Sequence, residues 1–439
     1  MSEYSAFLMF PLLMVFIFAG FPVAFSMIGV TFLFGLTRYG SAITYQMVSK
    51  IDVVLSESVL AAVPLFIFMG AMLERSGIAE RLFQAINAWM RRIPGGLGVA
   101  AITMGAIFAA TSGIVGATET VIGLLAVPVM MKHGYDRKLI AGTICAGGSL
   151  ATIIPPSISV FVLGPVANIS VGPLLVGILF PGLIMAALFL LYVVGICVID
   201  RKLAPVHDRN EPDMSWKQKL MLTLTALVPA VALIFAVLGT ILMGLATPTE
   251  AAACGALGSV LLSMFYRTFT LRVLWSALLR SVSITAMILL IVLAGSMFSA
   301  VFFGMGGMAA VQSAIDAWGF SGWQTVALIL FLTFLAGFVL DLISIILIII
   351  PIAMPLIRIY QFDPVWFSVL FLIVLQTSYL SPPLAPSIFY LKAIAPPQIT
   401  LGDMYRGVVP FIVAQLLVLV LVLAFPGLVT WLPKRLGIL

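Results

Sequence analysis

Charge is what this sequence lacks most: 38 of its 439 residues are Asp, Glu, Lys or Arg, or 9%. A soluble domain carries about 25%, so a water-soluble globular protein is excluded. Its three cysteines, Cys145, Cys197 and Cys254, lie in apolar stretches without pairing or metal-ligand spacing. They read as small hydrophobes rather than as redox or metal groups. The two histidines, His133 and His207, fall in polar loops, which excludes a histidine proton relay or metal centre inside a membrane. No nucleotide-binding loop occurs, and no pairing of acids suits an intramembrane protease, so the chain does not read as an enzyme. Active transport by it must draw on an ion gradient or on partner subunits. The short alternating segments of a β-barrel are missing. So is a basic n-region, and the uncharged run from Tyr4 to Thr37 is too long for a cleaved signal peptide.

What is present is apolar: 63% of the chain is hydrophobic, in runs near the roughly 20 residues that a ~30 Å hydrocarbon core demands. This predicts an all-α polytopic membrane protein with the lipid bilayer as its surroundings. The net charge of +6 is no sign of nucleic-acid binding, because the bases lie in short loops, where they orient spans.

Residues 200–219, DRKLAPVHDRNEPDMSWKQK, hold nine of the 38 charges and read as a cytoplasmic linker between halves 1–199 and 220–439. The halves resemble each other. AINAW at 85–89 returns as AIDAW at 314–318; Pro22 and Gly29 match Pro248 and Gly255; Gly113 matches Gly337. Pro155 and Pro156 match Pro382 and Pro383, and Gly172 and Gly177 match Gly402 and Gly407, all at offsets of 224 to 230. The collinear order points to a duplication. The expected spans are 6–20, 22–37, 58–73, 139–165 and 172–199, then 220–245, 247–265, 282–299, 365–388 and 407–432. Residues 77–92 and 304–318 are expected as amphipathic arms.

The 37 residues 95–131 would make a helix of ~55 Å, far longer than one span. Both flanks are basic (Arg91, Arg92; Lys132, Arg137, Lys138), so the segment reads as a re-entrant hairpin with its tip in TSGIVGATE, 111–119. Residues 323–354 are its counterpart, with the tip at 336–344. Five spans and one hairpin per half invert the second repeat. This topology puts 17 Lys/Arg in the cytoplasm and five outside (Arg38, Lys50, Arg358, Lys434, Arg435), as the positive-inside rule favours. Both termini are then periplasmic.

Each half also breaks a helix, at AGGSLATIIPPSIS (146–159, within 139–165) and QTSYLSPPLAPS (376–387, within 365–388). Paired prolines remove amide donors and free backbone carbonyls at mid-membrane depth. Carbonyls and hydroxyls suit a hard cation such as Na⁺, and half-helix N-termini suit a carboxylate. Inverted repeats with broken helices are a transporter pattern. Three acids lie well inside apolar stretches: Glu119, Glu250 and Asp341. Intramembrane acids are functional candidates by default. Asp341 and Glu119 are expected near ion or substrate, while Glu250 is expected to cap a helix after Pro248.

LATPTEAAACGA (245–256), GGSLATIIPPSI (147–158), LDLISIILIIIPIAMP (340–355) and LSPPLAPSIFYL (380–391) resemble the large membrane subunit of tripartite ATP-independent periplasmic (TRAP) transporters, essentially over the whole chain. The resemblance implies a bacterial inner-membrane secondary importer of organic acids, dicarboxylate-type, coupled to a Na⁺ gradient and working as an elevator. It implies two separate partner polypeptides, a small four-helix membrane subunit and a periplasmic substrate-binding protein. By position it implies one Na⁺ site at Ser112, Gly113, Gly148, Ser149, Thr152 and Pro155. A second falls at Gly337, Asp341, Thr377, Ser378 and Ser381, where SPPLAP departs from the family's commoner TPPVG. Thr118, Glu119, Pro156, Ser157, Ser344, Pro382 and Pro383 are candidates for substrate or coupling contacts. Two other readings stand beside this one: a stand-alone Na⁺-coupled anion transporter or antiporter of related architecture, and a membrane scaffold that transports nothing. The substrate is left open among C4-dicarboxylates, sialic acid and other sugar or keto acids.

Overall fold

The structure, a computed structural model, describes residues 3–205 and 215–438; His207 and the middle of the linker lie outside the described residues. Among the described residues there are helices and connecting turns and no strand. Eight of the described helices are long and apolar enough to cross a membrane, and six more apolar helices among the described residues have 10–17 residues. Some helix starts carry polar caps, which satisfy orphan N–H groups of the first turn. Asp136 caps Arg137–Ser149, Asp363 caps Pro364–Leu380, and Thr247 with Glu250 closes a capping box on Pro248–Phe265. Glu250 is therefore a capping residue, exposed at the helix start.

The series of helices runs in parallel on the two sides of the linker. Gly96–Ser112 and Val115–Lys132 pack together as a hairpin, as do Gly322–Ala336 and Leu342–Ile359. Each hairpin is followed by a helix interrupted at its prolines: Arg137–Ser149 with Ile158–Ala167, and Pro364–Leu380 with Pro386–Ile394. Amphipathic helices Ile78–Met90 and Gly307–Trp318 precede the hairpins.

Three boundaries differ from expectation. Residues 42–55, left between two expected spans, form a helix, which continues after a short break into Ser58–Arg75. Its counterpart is one 34-residue helix, Leu271–Gly304, instead of a span over 282–299. At 1.5 Å per residue it is ~51 Å long, so its basic start, with Arg272 and Arg280, extends beyond the hydrocarbon. Residues 407–432 are two helices, Leu401–Ala424 and Gly427–Arg435, parted at Phe425 and Pro426.

Two packing groups result. Ala62–Arg75 packs on Pro248–Phe265 and Leu271–Gly304, where Arg280 pairs with Glu74 at 2.7 Å. Hairpins and broken helices form the other group, and they interlock between halves. Val115–Lys132 packs on Pro386–Ile394, and Leu342–Ile359 packs on Ile158–Ala167. Helix Leu401–Ala424 crosses Arg137–Ser149 at Gly142 and Gly407, where a Cβ on Gly407 would overlap the Lys138 carbonyl. Backbone cannot yield as a side chain does, so Gly407→Ala is expected to cost about 1–3 kcal/mol. Gly402→Ala, whose nearest neighbour would be Thr400 Oγ1 at 3.7 Å, should cost little. Thermal melting of the two variants in detergent checks the difference.

Candidate functional site

Hairpin two turns at Gly337–Leu340, and Asp341 caps the returning helix. Its carboxylate accepts from the N–H of Ile343 (3.1 Å) and of Ser344 (3.2 Å), and from the Ser344 hydroxyl. The Leu342 N–H donates to Tyr379 Oη at 3.3 Å. Gly337 lies so close to Ser378 that a Cβ there would overlap Ser378 Oγ. The tip is thus seated on the last turn of Pro364–Leu380. The hydroxyls of that turn donate within their own helix: Thr377 to the Ile373 carbonyl (2.8 Å), Ser378 to Leu375 (2.7 Å), Ser381 to Thr377 (2.8 Å). Each hydroxyl proton is engaged and each oxygen keeps lone pairs. The break follows, with a cis Pro382–Pro383 bond and Ala385 in the left-handed region, φ 41°.

Hairpin one turns more tightly than the run 111–119 suggested. Gly113 (φ 60°) closes its first arm in the left-handed region, where glycine carries no Cβ penalty, and helix resumes at Val115. Thr118 and Glu119 therefore sit on the second arm. Gly113 abuts the start of Ile158–Ala167, 3.1 Å separating an added Cβ from the Ile158 nitrogen. Only the backbone of Ser112 is described; its side chain lies outside the described residues. Ser149 donates to the Ala146 carbonyl, Thr152 to Ser149, and Ser157 to Thr152 across the break, at 2.8–2.9 Å. Pro155–Pro156 is also cis. This first proline pair is buried, whereas Pro382 and Pro383 are exposed, with the Pro383 carbonyl accepting from Tyr405 Oη at 2.9 Å.

The two junctions meet at a cavity of about 150 Å³. Gly113 and Thr152 line it from the first half, and Asp341, Tyr379 and Tyr390 from the second. Ile284, Met287 and Ile288 of the 34-residue helix close it from the other packing group. Two helix N-termini open onto it, at Leu342 and Ile343 and at Ile158 and Ser159. The N–H groups of Leu342 and Ile343 are taken up by Tyr379 and Asp341, so it is the dipole ends, and above all the start of Ile158–Ala167, that favour an anion, while carbonyls, hydroxyls and one carboxylate suit an alkali cation. No base lines this cavity. Arg358 instead donates to the carbonyls of Ala167 (3.1 Å) and Asn168 (3.4 Å), and Lys392 and Arg406 are exposed.

Several expected residues lie apart from the cavity. Gly148 packs on Glu119. Glu119 is fully buried, and its Oε2 accepts from Ser387 Oγ at 2.8 Å. Ser149 accepts from Gln376 Nε2 (3.2 Å) and Gln415 Nε2 (3.5 Å), two buried glutamines. Pro155, Pro156, Ser157, Thr377, Ser381, Pro382 and Pro383 do not line the cavity. Sequence reasoning placed Gln376, Tyr379 and Ser387 in the second break without giving them a role, and it missed Tyr390 and Gln415. A lone amide in the apolar run IVAQLLVL was the one available signal for Gln415.

A polytopic helical membrane protein whose broken helices and hairpin tips converge on one cavity has the build of a transporter. The solved structure of the Alcanivorax borkumensis YdaH transporter shares this fold, with a TM-score of 0.64 and 14% identity over 92% of this chain and 96% of that one. The family is narrower. The model of the tripartite ATP-independent periplasmic transporter DctM component matches residues 10–428, and the chain belongs to that family. A C4-dicarboxylate TRAP transporter large permease protein of Rhodobacter capsulatus is 31% identical over 99% of this chain and 100% of its own length. An ectoine/5-hydroxyectoine TRAP transporter large permease protein of Ruegeria pomeroyi is 30% identical over 96% of each. The chain is accordingly a multi-pass permease of the inner membrane, and its relatives are transporters rather than enzymes.

Proposed function

We propose that this chain is the transport core of a Na⁺-coupled importer of organic acids, a C4-dicarboxylate or a related carboxylate such as sialic acid. Two inverted repeats, 1–199 and 220–439, joined by a cytoplasmic linker, supply ten spans and two re-entrant hairpins, with both termini in the periplasm. The group of hairpins and broken helices moves as an elevator against the group built on Ala62–Arg75 and Leu271–Gly304. A periplasmic binding protein delivers substrate, and a small four-helix subunit braces the frame.

The observation that carries this reading is the meeting of two hairpin tips and two helix N-termini at one cavity. Its carboxylate and hydroxyl oxygens suit Na⁺ at the tips, and its helix ends, free of competing bases, suit the substrate carboxylate. The names of the relatives agree in class and differ in substrate.

Uptake into proteoliposomes holding this chain, its small subunit and the binding protein is expected to rise sigmoidally with external Na⁺. Uptake indifferent to Na⁺ removes the coupling. Uptake by this chain alone, without binding protein, would make it a stand-alone transporter.

A further inference from the structure

We infer that an acyl chain of a bilayer lipid occupies an apolar chamber directly behind the tip of the second hairpin. The chamber has a volume of about 480 Å³. Its walls are the helical segments Glu3–Leu8 and Met9–Phe18, the arm Gly307–Trp318, the end of the 34-residue helix and both arms of the hairpin. Phe7 and Phe10 set their rings edge-on to Phe302, at 6.2 and 5.4 Å, to form one side. The hydroxyl of Thr325, the one hydroxyl of the lining, donates to the Ser321 carbonyl at 3.1 Å.

Water needs two to four polar partners and finds none here; apolar cavities stay dry and take apolar guests. An apolar cavity of about 150 Å³ holds one benzene. At that filling the present chamber takes roughly 18 carbons, the size of a lipid tail. A protein helix, ~10–12 Å across, would fill such a volume with about a single turn. The source of the guest follows from the mouth. Trp318 (62% exposed) and Leu332 (49% exposed) line the chamber and also belong to the apolar outer surface. The chamber is therefore continuous with the interface that the protein already shares with lipid.

Its position gives the guest a role. Leu340 lines this chamber and its neighbour Asp341 lines the site cavity, so the turn is a thin wall between the two. A chain held behind Leu340 stops the tip from retracting away from Ser378.

The test uses the full chain in nanodiscs of phosphatidylethanolamine and phosphatidylglycerol, doped with a phosphatidylcholine that carries a diazirine near the end of one acyl chain. Photolysis and peptide mapping should place adducts on chamber residues such as Leu340 and Ile349. Ala314→Phe, which fills the chamber from the arm, should cut these adducts at least fivefold and spare those at Trp318 and Leu332. Ala353→Leu fills it from the hairpin and should do the same where the first variant fails to fold. Adducts confined to the mouth, or chamber adducts unchanged in a folded filled variant, overturn the inference.

Discussion

Asp341→Asn is expected to leave the protein folded and to lower Na⁺-driven uptake 10- to 100-fold. The side chain has two separable tasks. As a helix cap it accepts from the N–H groups of Ile343 and Ser344, and asparagine caps about as well as aspartate. Thermal stability should therefore stay within a few tenths of a kcal/mol. As a charge it lines the cavity where the two junctions meet. An interaction with a charged group is worth about 1.5–3 kcal/mol, and about 1.4 kcal/mol is tenfold in an equilibrium. The neutral amide forfeits that share of cation binding. Asp341→Ala should add the loss of the cap, about 0.5–2 kcal/mol of stability. Wild-type uptake by Asp341→Asn at limiting Na⁺ would reduce Asp341 to a cap.

Gly337→Ala should be nearly as damaging, for a steric reason. The φ of Gly337 is −64°, which alanine adopts freely, so backbone strain plays no part. The added methyl would overlap both Oγ and Cβ of Ser378. Overpacking of this kind costs about 1–3 kcal/mol, and the tip can escape it by lifting off the break. Uptake is expected to fall at least tenfold. Ser378→Ala removes the oxygen and leaves the Cβ clash, so it should rescue poorly. Ser378→Gly clears both atoms, at about 0.5–1 kcal/mol of helix stability, and should rescue well. Equal, additive losses in the double mutant would mean that this contact does not set the position of the tip.

The site was partly legible in the sequence because its makers are rare in a membrane. Paired prolines, the acids Glu119 and Asp341 and small residues at the tips stand out from an apolar background, and they mark where helices stop. What the side chains touch was not legible. Glu119 meets Ser387 and Ser149 meets Gln376 across 268 and 227 residues, and no local pattern announces such pairs. Tyr379 and Tyr390 look like ordinary aromatic residues until the break turns them toward the cavity. Among the elements, the helix at 42–55 was hidden by Lys50 and Asp52. Arg272 and Arg280 likewise hid the start of Leu271–Gly304, because charge in a helix reads as loop when only the spanning part is sought. The tip of hairpin one was misjudged in width, since TSGIVGATE is rich in small residues that a helix accepts as readily as a turn.

The interlocking of the two halves also sets a schedule for synthesis. The Ser387 hydroxyl that bonds Glu119 leaves the ribosome 268 residues later. At 5–20 residues per second, that delay is on the order of 15–50 s. Throughout that time the second arm of hairpin one has no Pro386–Ile394 to pack on, and a carboxyl group stands without its partner. The nascent first half must wait in the membrane incomplete, open to quality-control proteases and to wrong neighbours. The packing of hairpin one is therefore completed only when the last 60 or so residues arrive, long after the first spans have been made.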